Sequence, residues 1–319
     1  MPNAQIVDRK SLVREMFIHY RAGEYADALG LVEQHGDLLS DDVERDWYRT
    51  VLRARAGDRA GSMRVLRTAL DRGAWFDESM LQDSDFDQLR EDPDFKNLYS
   101  RSVALKQQAA AQARPELQLL VPGTPAPAGG YPLLVALHGN SSNAVLTAHE
   151  WAGATARGWL VAAPQSSQVG RRHGLFVWND SNLATLELKA QLAAIERSQP
   201  VDPTRVVFGG FSLGAFQAAL MVLQRQAASQ GFVMVSPGMP TPEPLVEAAR
   251  NIDPRSVRGY VLLGGDDAPQ AIENARRLVT ALNDIGIRTQ LDELPGLGHE
   301  YPNVFETTLE GALEFVLQR

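Results

Sequence analysis

The sequence predicts an α/β protein whose mostly parallel sheet, flanked by helices, is preceded by an all-α region. Residues 1–113 are rich in Arg, Asp, Glu, Leu and Ala and contain almost no β-branched runs. From Pro115 onward, apolar strand-like runs alternate with helical segments, which is the pattern of parallel sheets. A chain of 319 residues also suits two domains better than one. We therefore expect a helical domain at 1–113 and a sheet domain at 114–319.

The helical region contains an internal repeat. Residues 21–29 align with residues 55–63, and the step from Gly23 to Gly57 is 34 positions. This is the period of tetratricopeptide repeats (TPR), in which a glycine makes the tight turn between two antiparallel helices. The region therefore resembles such repeats. One of the departures is Arg59, which stands where an aromatic residue is usual.

Two repeats of this kind are marginally stable alone, because each must bury its apolar face on a neighbour. Aromatic residues such as Trp75, Phe76 and Phe95 have to be covered. We expect the sheet domain or a second subunit to cover them, which leaves open a homo-oligomer or a protein partner bound through residues 1–113. A plain helical bundle and a peptide-binding groove are equal alternatives.

Strand-like runs define the sheet domain. The predicted strands are residues 116–121, 131–137, 159–163, 205–209, 231–235, 259–263 and 288–294. Residues 122–130, rich in Pro and Gly, are interpreted as a hairpin loop between the first two strands. Residues 237–244 hold four prolines and are either part of a substrate pocket or a rigid surface turn. Arg171 and Arg172 are either contacts for an anionic substrate or a solvated surface pair, and we favour the surface pair.

The most informative motif is Gly-Phe-Ser-Leu-Gly at residues 210–214, between a strand-like run and a helix predicted at 215–225. A Gly-x-Ser-x-Gly turn of this kind is a nucleophile elbow, which lifts the serine hydroxyl above the carboxyl edge of the sheet. Ser212 is the candidate nucleophile. The backbone N–H of Leu213, at a helix N-terminus, is aimed at a developing oxyanion.

The partners expected for such a serine follow it in the order acid, then histidine. His299 lies in a Gly-rich loop between the last strand and the last helix, and it is the candidate base. The acid is Asp267 or its neighbour Asp266, both just past a hydrophobic strand. We favour Asp267, and expect Asp266 to cap the helix that begins near Pro269.

A second oxyanion donor is predicted after the apolar run at residues 133–137. That run ends in His138-Gly139-Asn140, and the loop backbone can supply an N–H from Asn140 or a neighbour. We interpret His138 as structural: its imidazole would stabilise the loop while the backbone contributes to the chemistry.

Residues 115–319 resemble the α/β-hydrolase superfamily, and more narrowly its phospholipase/carboxylesterase-like predicted esterases. The resemblance rests on residues 137–140, 162–168, 201–206, 209–214 and 298–299. It implies a triad of Ser212, Asp267 and His299, with oxyanion donors at Asn140 and Leu213. Many relatives have Gln where this chain has Leu213, and they usually show one clear Asp where two adjoin here.

Composition narrows the function further. The formal net charge of −8 argues against general binding to nucleic acid or to anionic membrane surfaces. The chain has no cysteine, which excludes disulfides and thiol nucleophiles. The N-terminus lacks the apolar core of a signal peptide, and no run suits a membrane span. We expect a cytoplasmic protein with no membrane insertion, which needs no cofactor or metal.

These signals together predict a serine hydrolase that cleaves a small-molecule carboxylic ester through an acyl-serine intermediate. A thioesterase or a peptidase-type acyl hydrolase would use the same triad. A third alternative, from another class, is a TPR-type adaptor whose hydrolase domain has lost activity.

Overall fold

The computed structural model describes residues 6–318, which form two compact units. The first unit comprises the residues up to Gln112 together with Arg171–His173. The second comprises Ala113–Gly170 and the residues from Gly174 onward.

The described part of the first unit contains six α-helices. They are α1 (Arg9–Ala22), α2 (Tyr25–His35), α3 (Asp42–Arg55), α4 (Arg59–Asp71), α5 (Glu78–Leu81) and α6 (Pro93–Gln112). Asp8, Asp41 and Asp58 each accept a backbone N–H of the helix that follows, which explains where α1, α3 and α4 begin. Gly23 and Gly57 lie in left-handed conformation between paired helices, at φ 78° and 83°. The likeness to tetratricopeptide repeats stays a prediction.

Aromatic side chains fill the core of this first unit. Phe76 and Phe95 belong to a buried cluster with Phe86, and the partly buried Trp47 packs against it. The Phe86 and Phe95 rings are stacked, with centroids 5.5 Å apart. Phe76 and Phe95 are therefore covered by side chains of α3 and α4 together with residues that follow these helices.

Arg172 belongs to the first unit and is not a solvated residue. It is only 7% exposed, and its guanidinium donates to both carboxylate oxygens of Asp41, at 3.0 and 2.9 Å. Arg171, by contrast, is exposed. The prediction of a solvated pair is wrong for Arg172, because a buried guanidinium requires a charged partner that the local sequence does not reveal.

The second unit contains one seven-stranded sheet. Its strands are β1 (Glu116–Leu120), β2 (Tyr131–Leu137), β3 (Leu160–Gln165), β4 (Val201–Phe211), β5 (Gly231–Val235), β6 (Arg258–Gly264) and β7 (Thr289–Leu294). Their order is β1-β3-β2-β4-β5-β6-β7. All neighbours are parallel except β1, which pairs antiparallel with β3 at one edge. Such a sheet is consistent with an α/β-hydrolase fold.

Helices cover both faces of this sheet. They are α7 (Ala144–Trp151), α8 (Ser181–Ser198), α9 (Leu213–Leu223), α10 (Glu243–Ala249), α11 (Pro269–Ile285) and α12 (Phe305–Leu317). Side chains of α8 to α11 bury one face, and those of α7 and α12 bury the other. Every residue of β2 and β5 is buried, as expected for strands covered on both sides.

The structure corrects two local predictions. Residues 122–130 are not a hairpin loop, because β3 lies between β1 and β2 in the sheet. A turn-rich composition indicates a chain reversal but does not determine which strands pair. Helix α9 begins at Leu213 rather than at Ala215, immediately after the serine.

Within residues 6–318, no helix combines the length and apolarity that a membrane span requires.

Candidate active site

Ser212 occupies a strained turn between β4 and α9. Its backbone dihedrals are φ 54° and ψ −126°, in a region that non-glycine residues rarely adopt. The turn is possible because Gly210 and Gly214, two positions away on either side, lack side chains. A Cβ on Gly214 would lie 2.2 Å from the carbonyl oxygen of His138, and one on Gly210 would lie 2.5 Å from the backbone of Gly214. The sheet edge therefore holds the serine in a fixed, energetically costly conformation.

Three predicted residues form one chain of hydrogen-bonding distances. Ser212 Oγ lies 3.0 Å from His299 Nε2, and His299 Nδ1 lies 2.8 Å from Asp267 Oδ2. The side chain of Asp267 is 4% exposed, while that of His299 is 41% exposed. The carboxylate is thus shielded from water, and the imidazole is open to a reactant.

The structure distinguishes the two adjacent aspartates. Asp267 points inward, and its second oxygen, Oδ1, accepts the backbone N–H of Ala268 at 2.6 Å. Asp266 is exposed, and its backbone N–H donates to the Leu297 carbonyl. The expectation that Asp266 caps α11 is wrong, because the N-cap position is Ala268, with no side-chain cap. Only Asp267 contacts His299.

The loop after β2 packs directly against the serine turn. A Cβ on Gly139 would lie 3.3 Å from Ser212 Cβ, so the backbone preceding Asn140 lies beside the nucleophile. Asn140 is held by its side chain: Oδ1 accepts the Trp178 backbone N–H, and Nδ2 donates to Asn179, each at 3.2 Å. Leu213 is the first residue of α9, and such a residue has no intrahelical acceptor for its N–H.

His138 supports this loop from inside the protein. Its ring is fully buried and stacks on Trp178, with centroids 4.5 Å apart. The Ser166 backbone N–H donates to Nε2 at 3.3 Å, and the Trp178 indole N–H donates to the His138 carbonyl at 2.8 Å. Burial lowers the pKa of His138 to about 4, so the imidazole is neutral near pH 7.

An aromatic stack anchors the histidine loop, and sequence reasoning missed it. Phe211, the residue before the nucleophile, stacks on Tyr301 with ring centroids 4.6 Å apart. The centroid of its ring lies 5.0 Å from that of His299. The Trp151 indole N–H donates to the Tyr301 hydroxyl at 3.1 Å. Burial raises the pKa of Tyr301, which keeps that hydroxyl neutral. The sequence offered one signal for this stack, the aromatic residue Tyr301 two positions after His299.

The chemistry open to this arrangement is nucleophilic. A serine hydroxyl within reach of an imidazole, itself oriented by a buried carboxylate, is the geometry that activates serine for attack on a carbonyl. Among residues 6–318, the candidate group for a metal is His19, Glu24 and Asp27 in the first unit. Exposed acidic groups of this kind are common without an ion.

The fold is shared with solved structures. A crystal structure of an uncharacterized protein from Bacillus cereus ATCC 10987 is similar over 97% of this chain and 99% of that chain, at 22% identity and a TM-score of 0.54. Esterase PE8 is similar over 64% of this chain and 99% of its own, at 18% identity and a TM-score of 0.52. No family model matches the chain, and a search of curated proteins found no match.

At these identities the likeness concerns the fold. The match to the Bacillus cereus protein extends over nearly the whole chain, so it includes the helical first unit. The match to esterase PE8 extends over about two thirds of the chain. Esterases are thus among the proteins that share this α/β architecture.

Proposed function

We propose that this protein is a serine hydrolase that cleaves carboxylic esters through an acyl-serine intermediate. The observation that carries the proposal is the continuous chain from Ser212 through His299 to Asp267, at 3.0 and 2.8 Å. Each link has the distance that proton transfer and orientation require. Esterase PE8, which shares the fold, is named for the same class of reaction.

The proposed reaction begins with attack of Ser212 Oγ on the ester carbonyl carbon. His299 Nε2 accepts the hydroxyl proton and then delivers it to the departing alkoxide, which leaves as the alcohol. Water then attacks the acyl-serine with the same histidine as base, and the carboxylic acid is released. Asp267 orients the ring and stabilises the imidazolium, because the Nδ1–H donates to its buried carboxylate.

The negative charge that develops on the carbonyl oxygen needs donors near Ser212. We assign this role to the backbone N–H groups of Leu213, at the start of α9, and of Asn140, beside the nucleophile. A donor of this kind contributes about 3 kcal/mol to stabilisation of the transition state. The fixed side chain of Asn140 keeps its backbone in place without reorganisation during the reaction.

The alternatives differ in what they require. A thioester or a peptide bond would be attacked by the same groups, so only substrate comparison separates these leaving groups. An inactive adaptor would need no assembled triad, and the connected geometry of three residues distant in sequence argues against it. The strained backbone of Ser212 argues the same way, since strain of this kind concentrates at functional sites.

Hydrolysis of p-nitrophenyl acetate tests the proposal. We expect the purified protein to release p-nitrophenol, and Ser212→Ala to lower kcat by about 10⁴-fold or more. Ser100→Ala, at an exposed helical serine, is the matched control and should retain wild-type turnover. Full activity in Ser212→Ala would contradict the proposal. Acyl thioester and peptide substrates, assayed in parallel, identify the preferred leaving group.

A further inference from the structure

A second strained turn follows β5, beside the turn that carries Ser212. Ser236 has φ 41° although it is not glycine, and it is 1% exposed. Its backbone N–H donates to the Leu262 carbonyl at 2.8 Å, while the preceding Val235 carbonyl accepts the Ser212 N–H at 3.0 Å. The two turns are therefore joined through the backbone. A buried non-glycine residue in this conformation persists only where its surroundings enforce it.

Two positions after Ser236, Gly238 lies against the nucleophile. A Cβ on Gly238 would lie 2.7 Å from Ser212 Oγ and 3.0 Å from the Leu213 backbone nitrogen. Any side chain here would crowd both the attacking oxygen and the N–H assigned to the oxyanion. The φ of Gly238 is not positive, so its requirement for glycine arises from space and not from backbone conformation.

A buried amide holds this turn in place. Asn274 of α11 is 1% exposed, and its Nδ2 donates to two consecutive carbonyls, those of Met239 at 3.1 Å and Pro240 at 2.9 Å. Its Oδ1 accepts from Gln270 at 3.0 Å, which fixes the amide with its donors toward the turn. Asn274 lies seven positions after Asp267, which precedes the start of α11 by two residues.

We propose that the bare backbone of Gly238 forms the wall beside Ser212 and keeps the Leu213 N–H open to the tetrahedral intermediate. Asn274 is the positioning residue that sets the distance of this wall from the nucleophile. The inference rests on the proposed function and extends it. It assigns residues 237–240 to the reacting site rather than to a rigid surface turn.

Gly238→Ala tests the wall. We expect kcat for p-nitrophenyl acetate, and the rate of labelling by a fluorophosphonate, to fall by about 100-fold or more, with KM changed less than about threefold. Gly311→Ala is the matched control, because a Cβ there meets no atom within 4 Å. Labelling and turnover within threefold of wild type would overturn the inference.

Asn274→Ala tests the positioning role. We expect kcat to fall between about tenfold and 100-fold, with an unchanged pH profile, because the turn shifts while the triad stays intact. The control is Asn283→Ala on the same helix, whose side chain also hydrogen-bonds backbone, at Thr289. If both residues are merely structural, the two variants lose stability and do not differ in kcat. Equal kcat values in the two would contradict the assignment.

Two further readouts separate the possible failures. If wild type labels with the fluorophosphonate but cleaves no ester, the proposed substrate class fails, and the labelling rates of the variants still decide the inference. If Gly238→Ala does not fold, Asn274→Ala decides it.

If Gly238→Ala folds, its loss in Tm should be smaller in a Ser212→Ala background, because the nearest clash, with Oγ, is then removed. An equal loss in both backgrounds would contradict crowding of the hydroxyl.

Discussion

The two units differ in whether residues other than glycine adopt positive φ. In the first unit, the positive-φ positions among the described residues are Gly23, Gly57 and Gly73, where glycine adopts the conformation at little cost. In the described part of the second unit, six glycines have positive φ as well, and so do four non-glycine residues. These four are Ser141, Ser212, Arg225 and Ser236. The three serines follow β2, β4 and β5, at the carboxyl edge of the sheet.

The difference indicates where function lies. Glycine at a turn satisfies the fold, whereas a strained serine costs free energy that the surrounding structure must offset. Three of the four non-glycine residues lie at one edge of one sheet, which supports the proposed site independently of any motif, whereas Arg225 follows the far end of α9. The helical unit is held by N-caps, ion pairs and an aromatic core, and nothing in its backbone is strained in this way within residues 6–112.

The largest expected effect concerns the acid. Asp267→Asn should lower kcat by about 10³ to 10⁴-fold while the fold is retained, because an amide cannot hold His299 in the required tautomer. Asp266→Asn, the adjacent control, should change kcat less than about threefold, since its side chain is exposed. Steady-state kinetics on both variants check this. The reverse order would assign the acid to Asp266.

A smaller effect is expected from acid titration of His138. Its pKa is about 4 in the folded protein, below its usual 6.5, because the ring is buried. Between pH 6.5 and pH 4, His138 binds a proton in the unfolded chain but stays neutral in the folded protein. His138 should therefore lower the free energy of unfolding as pH decreases from 6.5 to 4, by up to about 1.4 kcal/mol per pH unit.

His138→Gln should flatten that slope, and urea denaturation at several pH values measures it. The half-buried His173 has a lowered pKa, again through burial, and leaves a residual slope of the same sign. A slope as steep in His138→Gln as in wild type would show that His138 is not the titrating group.

The smallest effect tests the glycines of the helical unit. Gly57→Ala should lower the free energy of unfolding by about 1 kcal/mol, because alanine resists left-handed backbone. A Cβ there meets no atom within 4 Å, so the change reports backbone conformation alone. Thermal denaturation measures it, with kcat expected to stay at the wild-type value. A loss of kcat would mean that the helical unit affects the chemistry.

Much of the fold could be predicted from sequence because its signals are local. The apolar runs of β2 and β5 give the bounds that the structure has, and the Gly-x-Ser-x-Gly turn marks Ser212. Strand order could not be predicted in the same way. For this reason the prediction of a hairpin loop at residues 122–130 is wrong. Pairing depends on distant partners, and here β3 lies between two strands that are neighbours in sequence.

In the candidate site too, residues with a local motif could be predicted, and residues that depend on distant contacts could not. Ser212 and His299 carry local motifs, but Asn274 and Tyr301 act through contacts with residues 34 and 90 or more positions away. No nearby pattern distinguishes Asn274 from the other asparagine of α11. The choice between Asp266 and Asp267 likewise depends on which carboxylate points inward, which adjacent positions in sequence do not reveal.

The central claim is that Ser212 is an activated nucleophile, and chemical labelling tests it most directly. The protein would be treated with a fluorophosphonate, digested, and analysed by mass spectrometry to locate the phosphonyl group. We predict one adduct, on the peptide that contains Ser212, and none after Asp267→Asn or Ser212→Ala under the same exposure. An adduct on another serine, or an unlabelled wild-type protein, would contradict the claim.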